Sequence, residues 1–129
     1  MKTKFFFRFS LAALAGAAAV LSAWAAPPEP PGFKLKGDAR RGKPLYSKSC
    51  ALCHGETGDG RGTLPIKPPP ADLRAVTPKR SDWELYVVIR DGGPALGLSP
   101  RMLGWSKTLS DQDIRDTAAY IRSISPVKK

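Results

Sequence analysis

The sequence predicts an all-α domain: three main helices joined by long loops. Three observations carry that expectation. No stretch alternates apolar and polar residues as a half-buried strand would. Three segments show helical spacing with recognisable start signals. Between them lie stretches so rich in Gly and Pro that only loop fits them.

The 129 residues allow one domain. The first 25 read as a targeting segment. Lys2, Lys4 and Arg8 make a basic start, Phe9 to Leu21 is almost wholly apolar, and Ala23-Trp24-Ala25 supplies a small-x-small cleavage signal. The rival reading is an uncleaved anchor. The apolar run is short for a span of about 20 residues, so cleavage after Ala25 is the favoured expectation. In either case the rest of the chain lies outside the cytoplasm. Residues 26–32, Ala-Pro-Pro-Glu-Pro-Pro-Gly, read as an extended spacer. The domain then occupies residues 33–129.

Its first helix is expected to begin at Asp38, a good N-cap, and to run through Leu45 and Tyr46 to Cys50. Pro44 is awkward there unless it falls in the first turn or bends the helix. Gly55 to Pro70 must be loop. The second helix spans Ser81 or Asp82 to Arg90 and stops at Asp91-Gly92-Gly93-Pro94. A further Gly/Pro loop reaches Leu109. Ser110 caps the last helix, with Asp113 three residues on in a capping-box pattern. Ile114, Ala118, Ile121 and Ser125 line one face of it. Three helices in fewer than about 100 residues make a thin core, which a large bound apolar group would complete.

Charge narrows the partners. The chain holds 21 basic and 11 acidic residues. Loss of the targeting segment leaves 18 basic residues and a net charge of +7. That favours acidic partners or an anionic surface. No dense basic helix with interleaved aromatics points to nucleic acid.

Cys50-Ala51-Leu52-Cys53-His54 is the motif that carries chemistry. Its pattern is the haem c attachment signature. Positions i and i+3 share a helix face, so two thiols can reach two vinyl groups on one porphyrin edge. The adjacent imidazole then swings under the ring to the iron. Zinc would need further ligands that no second cluster supplies. A thioredoxin-like pair would need a βαβ setting. A structural disulfide would leave His54 and the long loops unexplained.

The second axial ligand follows by elimination. Haem ligands are commonly His, Met, Cys or Tyr. His54 is the only His, and both Cys serve attachment. Met102 is the only Met left after cleavage. Lys or an open iron site are the alternatives. Iron held by His54 and Met102 would have a raised potential and no free position for a substrate.

These segments together resemble the class I (monohaem) bacterial cytochromes c, over Gly37 to about Ile124. The resemblance implies a cytochrome c-like fold wrapped around one covalent haem. It implies that Gly42 and Tyr46 on the first helix meet Tyr120 on the last. It implies that a proline carbonyl, at Pro65 or Pro68, accepts a hydrogen bond from His54. Leu73 would pack on the ring, and Trp105 matches the aromatic that follows the ligand Met. Pro44 is the main departure. The function implied is single-electron transfer in the periplasm, without catalysis. Lys67, Lys79, Arg80, Arg101 and Lys107 are candidates for steering acidic redox partners. A membrane contact is expected only if the N-terminal segment is retained. A dedicated haem subunit of a larger periplasmic oxidoreductase is the alternative.

Overall fold

The computed structural model describes residues 26–125, so the expected targeting segment lies outside the described residues. Among these the secondary structure is helical throughout. α1 (Ala39–Ser49), α2 (Ala51–His54) and α3 (Leu73–Val76) are followed by a 3₁₀ turn at Thr77–Lys79. Then come α4 (Asp82–Asp91), a 3₁₀ turn at Gly93–Leu96, and α5 (Asp111–Ser123). The three expected helices are α1, α4 and α5. α2 falls on the motif, whose two Cys are expected on one helix face; the 3₁₀ turn at Gly93–Leu96 lies in an expected loop, and α3 with the turn after it lies in residues 71–80, where elements of three or four residues carry no period to detect.

The starts follow the expected caps. Asp38 is extended and its carboxylate accepts the Arg40 N–H. Ser81 with Glu84, and Ser110 with Asp113, form complete capping boxes. Pro44 lies inside α1, past the first turn. It removes the bond to the Arg40 carbonyl, and an interior proline costs about 3 kcal/mol. Both residues are on the exposed face, so water reaches that carbonyl. At Cys50 (φ −110°) α1 gives way to α2, so the first helix does not run unbroken into the motif. Bonds from Cys50 N–H to Tyr46 and from His54 N–H to Cys50 still bridge the junction.

α1 and α5 cross in close contact. A Cβ on Gly42 would collide with the Asp116 backbone carbonyl, so only Gly lets the two backbones approach this closely. Tyr46 and Tyr120 meet beside that crossing, ring centroids 5.2 Å apart. Ile114, Ala118 and Ile121 are at most 3% exposed. Each buried Ile contributes about 1.5–3 kcal/mol.

Two polar clusters pin the helices. The Asp116 carboxylate, buried in the crossing, accepts from Asp38 N–H at 2.7 Å, Arg41 Nε at 2.8 Å and Gln112 Nε2 at 2.9 Å. Arg122 binds Asp82 and the carbonyls of Thr77 and Arg80. It ties the end of α5 to the start of α4. Among the described residues every ion pair is made by an arginine.

Residues 28–32 are exposed, and the segment is tied to the body at Pro27. Trp83 Nε1 donates to the Pro27 carbonyl at 2.6 Å. Phe33 then packs edge-on to Trp83, centroids 4.9 Å apart. The buried indole needs an acceptor, and the proline-rich arm supplies one.

Candidate functional site

The junction of α1 and α2 presents Cys50 and Cys53 one turn apart. They form no disulfide. Burial, helped by the neighbouring Cys53, pushes the Cys50 thiol up to about 12. A protonated thiol is a poor metal ligand and a poor exchange nucleophile.

His54 follows directly. Its Nδ1 lies 3.2 Å from the Ala71 carbonyl. Burial lowers the imidazole pKa, against a smaller opposing effect of the Ala71 bond. The ring is therefore neutral at pH 7. With Nδ1–H donating to a carbonyl, Nε2 carries the lone pair that can bind a metal.

The acceptor is Ala71, where Pro65 or Pro68 was expected. The loop after the motif explains the difference. Gly60, Gly62 and Leu64 donate to the carbonyls of His54, Cys53 and Leu52. The loop thus runs back along the motif and carries Pro65 to an exposed position. The chain then returns, and the Leu73 N–H bonds the Gly58 carbonyl at 2.7 Å. That bond brings Ala71 to the imidazole. Asp72 caps α3 immediately afterwards.

Leu73 is half-buried against the core, and its carbonyl accepts from Ser125 Oγ at 3.2 Å. Trp105 is also half-buried, with its N–H on the Ile89 carbonyl at 2.9 Å. Met102 sits in a turn tied to the end of α4. Its N–H bonds Ser99 at 3.1 Å, and its carbonyl accepts from Gly93 at 2.8 Å. Before it lies a cleft of about 520 Å³ lined by Pro94, Leu96, Gly97, Leu98 and Pro100, within the range of small-molecule sites. Leu64, Leu98 and Leu103 are 47%, 40% and 68% exposed. The loops on either side of Met102 and after the motif therefore offer apolar surface to a flat ring.

This donor set fits a c-type haem: two unbridged thiols one turn apart, a neutral imidazole with its tautomer fixed, and a thioether on an anchored turn. Among the described residues no group of three or more His, Cys, Asp or Glu could hold a metal ion by itself. A porphyrin brings its own four nitrogens and asks only for axial donors.

Of the five basic candidates, Arg80 is engaged, 3.6 Å from Glu84. Lys67, Lys79, Arg101 and Lys107 are exposed and outside the ion pairs found among the described residues. The Ala71 acceptor and the Asp116 hub left no sequence signal that a search for site residues could use. Backbone carbonyls look alike in any sequence.

Comparison with known proteins places these features. The family described as cytochrome C oxidase, cbb3-type, subunit III matches residues 37–121. Cytochrome c-554(547) of Halothiobacillus neapolitanus is 35% identical over 96 residues, covering 68% of this chain and 98% of that protein. Cytochrome c-554(548) of Halomonas halodenitrificans is 38% identical over 87 residues, covering 67% and 96%. The cbb3-type cytochrome c oxidase subunit CcoP of Azospirillum sp. (strain B510) is 29% identical over 98 residues, 68% of this chain but 29% of that larger protein.

Proposed function

This chain belongs to the cytochrome c family, a family of haem-binding electron-transport proteins, and from that premise we propose that it carries single electrons on one haem covalently held by Cys50 and Cys53. The observation that carries the proposal is the pair of unbridged thiols beside a neutral His54 whose Nδ1 is turned to the Ala71 carbonyl. When bound, the haem supplies a reversible one-electron couple. His54 and Met102 would hold its iron.

Each residue has a definite task. The Ala71 carbonyl holds the imidazole in one orientation and increases its basicity. The Met102 thioether is soft and favours the reduced metal. The two bonds that anchor its turn on Ser99 and Gly93 keep the sulfur in place. With His54 and Met102 both engaged on the iron, the chain would leave no place there for a substrate, and the activity proposed is electron transfer without catalysis. Leu73 and Trp105 would cover the ring and exclude water.

The site works outside the cytoplasm, where residues 1–25 direct it. No helix among the described residues is long and apolar enough to cross a membrane. Lys67, Lys79, Arg101 and Lys107 steer acidic redox partners, and association weakens with salt.

The test uses two variants. Cys50→Ser with Cys53→Ser should release the haem from the chain on denaturation. Met102→Ala should abolish the absorption band of sulfur-ligated ferric haem, lower the potential and let the reduced protein bind carbon monoxide. An unchanged spectrum and potential in Met102→Ala would refute the ligand assignment.

A second reading is a dedicated subunit of a larger oxidoreductase. The match to CcoP favours it. Copurification with a large partner from the native host would support it. Recovery as a free, salt-insensitive monomer would exclude it.

A further inference from the structure

We propose that the Tyr46 hydroxyl is a positioning group for His54, an inference that rests on the haem reading above. Tyr46 lies on α1, eight residues before the ligand, and its side chain is wholly buried. Packing against Tyr120 accounts for the ring. It does not account for the hydroxyl, which a phenylalanine would omit without loss of shape.

The hydroxyl donates to the Gly55 carbonyl at 2.7 Å. That carbonyl belongs to the residue directly after His54. It accepts a second bond, from the Gly58 N–H at 3.1 Å. Two residues further on, the Gly60 N–H bonds the carbonyl of His54 itself at 2.8 Å. The tip of Tyr46 thus holds the turn Gly55–Gly60, and the turn holds the His54 backbone from both sides. Gly58 is part of the same fit, since a Cβ there would lie 2.9 Å from Ile124 Cδ1 and 3.5 Å from the hydroxyl oxygen.

The ring of His54 is fixed separately, by Ala71. Ala71 reaches it through the Leu73–Gly58 bond, so the same turn also sets the position of the ring's acceptor. One hydroxyl therefore stands at the point from which both the backbone and the ring of the ligand are oriented. Burial raises the Tyr46 pKa further above its ordinary value, so the hydroxyl remains a donor over the whole working range of pH.

Tyr46→Phe in the full haem-loaded chain tests this, with Tyr120→Phe as the control that keeps both rings and the Tyr46 bond. Two readouts separate positioning from general support. One is the low-spin ferric electron paramagnetic resonance spectrum, whose g values depend on the orientation of the axial imidazole. The other is amide exchange of Gly60 relative to Ala118 in α5. In Tyr46→Phe the g values should spread. Gly60 exchange should accelerate by about fivefold more than that of Ala118, the factor expected for one lost hydrogen bond. Tyr120→Phe should change neither.

An unchanged spectrum, with Gly60 and Ala118 accelerating together, would overturn the proposal and leave the hydroxyl a purely structural group. Absence of attached haem in the wild-type protein would instead be a failure of the haem reading. In that case the exchange ratio, read on the full chain as isolated, would still decide whether Tyr46 holds the His54 turn.

Discussion

The sharpest stability prediction concerns Gly42→Ala. Two effects oppose each other. Alanine is the better helix former, worth up to about 1 kcal/mol in a helix interior. Against this, the new Cβ would collide with the Asp116 carbonyl and lie 2.9 Å from the Thr117 nitrogen. Both neighbours are backbone, so no rotamer change relieves the contact. Overpacking costs about 1–3 kcal/mol, occasionally more, and a clash with rigid backbone belongs at the top of that range. The net loss is then about 2 kcal/mol. For a domain of this size the melting temperature should fall by roughly 8–16 °C. Thermal unfolding followed by far-ultraviolet circular dichroism measures it. Lys43→Ala, one position along on the exposed face, should stay within about 0.5 kcal/mol of wild type. If Gly42→Ala melts at or above the wild-type temperature, the α1–α5 contact is not as close as described. The argument from backbone approach would then fail.

Asp116→Asn should destabilise the domain by about 2–3 kcal/mol, because charge-assisted bonds to Arg41, Asp38 and Gln112 become ordinary ones; chemical denaturation measures it. Burial raises the Asp116 pKa, but the bonds from Arg41, the Asp38 N–H and Gln112 outweigh it and leave the group below its ordinary 3.8. A depressed carboxyl stabilises the fold fully above its unfolded value and loses that contribution as pH falls through the folded value. Acid unfolding curves should therefore be shallower in Asp116→Asn, and identical curves would remove Asp116 from the account. Trp83→Phe keeps a ring against Phe33 but loses the donor to Pro27. It should cost about 1 kcal/mol and expose residues 26–32 to proteolysis, and an unaltered cleavage pattern would count against that contact. Reversing Lys79 and Lys107 to Glu should slow reduction by an acidic partner at low salt and leave the rate at high salt unchanged. Equal slowing at all salt concentrations would mean that steering is not their role.

The parts of this fold that could be read from the sequence are those encoded locally. Asp38, Ser81 and Ser110 mark helix starts because a cap needs only a side chain and the next turn. Ile114, Ala118 and Ile121 declare the buried face of α5 by their spacing. Cys50, Cys53 and His54 form a contiguous pattern that no other chemistry explains as well. The rest depends on contacts between distant residues. Asp116 reaches Asp38 across 78 positions, and nothing near either residue records the partner. Ala71 meets His54 through a carbonyl, which every residue has. Pro65 or Pro68 is the acceptor that the family resemblance implies. The ladder from Gly60 to Leu64 leaves Pro65 exposed, and the Ala71 carbonyl takes the bond instead. Pro44 looked disruptive because propensity counts a missing bond. It is tolerated because the orphaned Arg40 carbonyl faces solvent.

The division between arginine and lysine has a practical consequence. Arginines make the ion pairs and clasp the carbonyls of Thr77, Arg80 and Lys34. The described lysines, from Lys34 to Lys107, take no part in those pairs. The scaffold contacts are thus written in arginine, while the steering charge is carried mostly by lysine, with Arg101 beside it. Acylating the lysines would remove positive charge from the surface while the arginine clasps stayed intact, so a chemist could titrate the attraction of this protein for its partners without unfolding it.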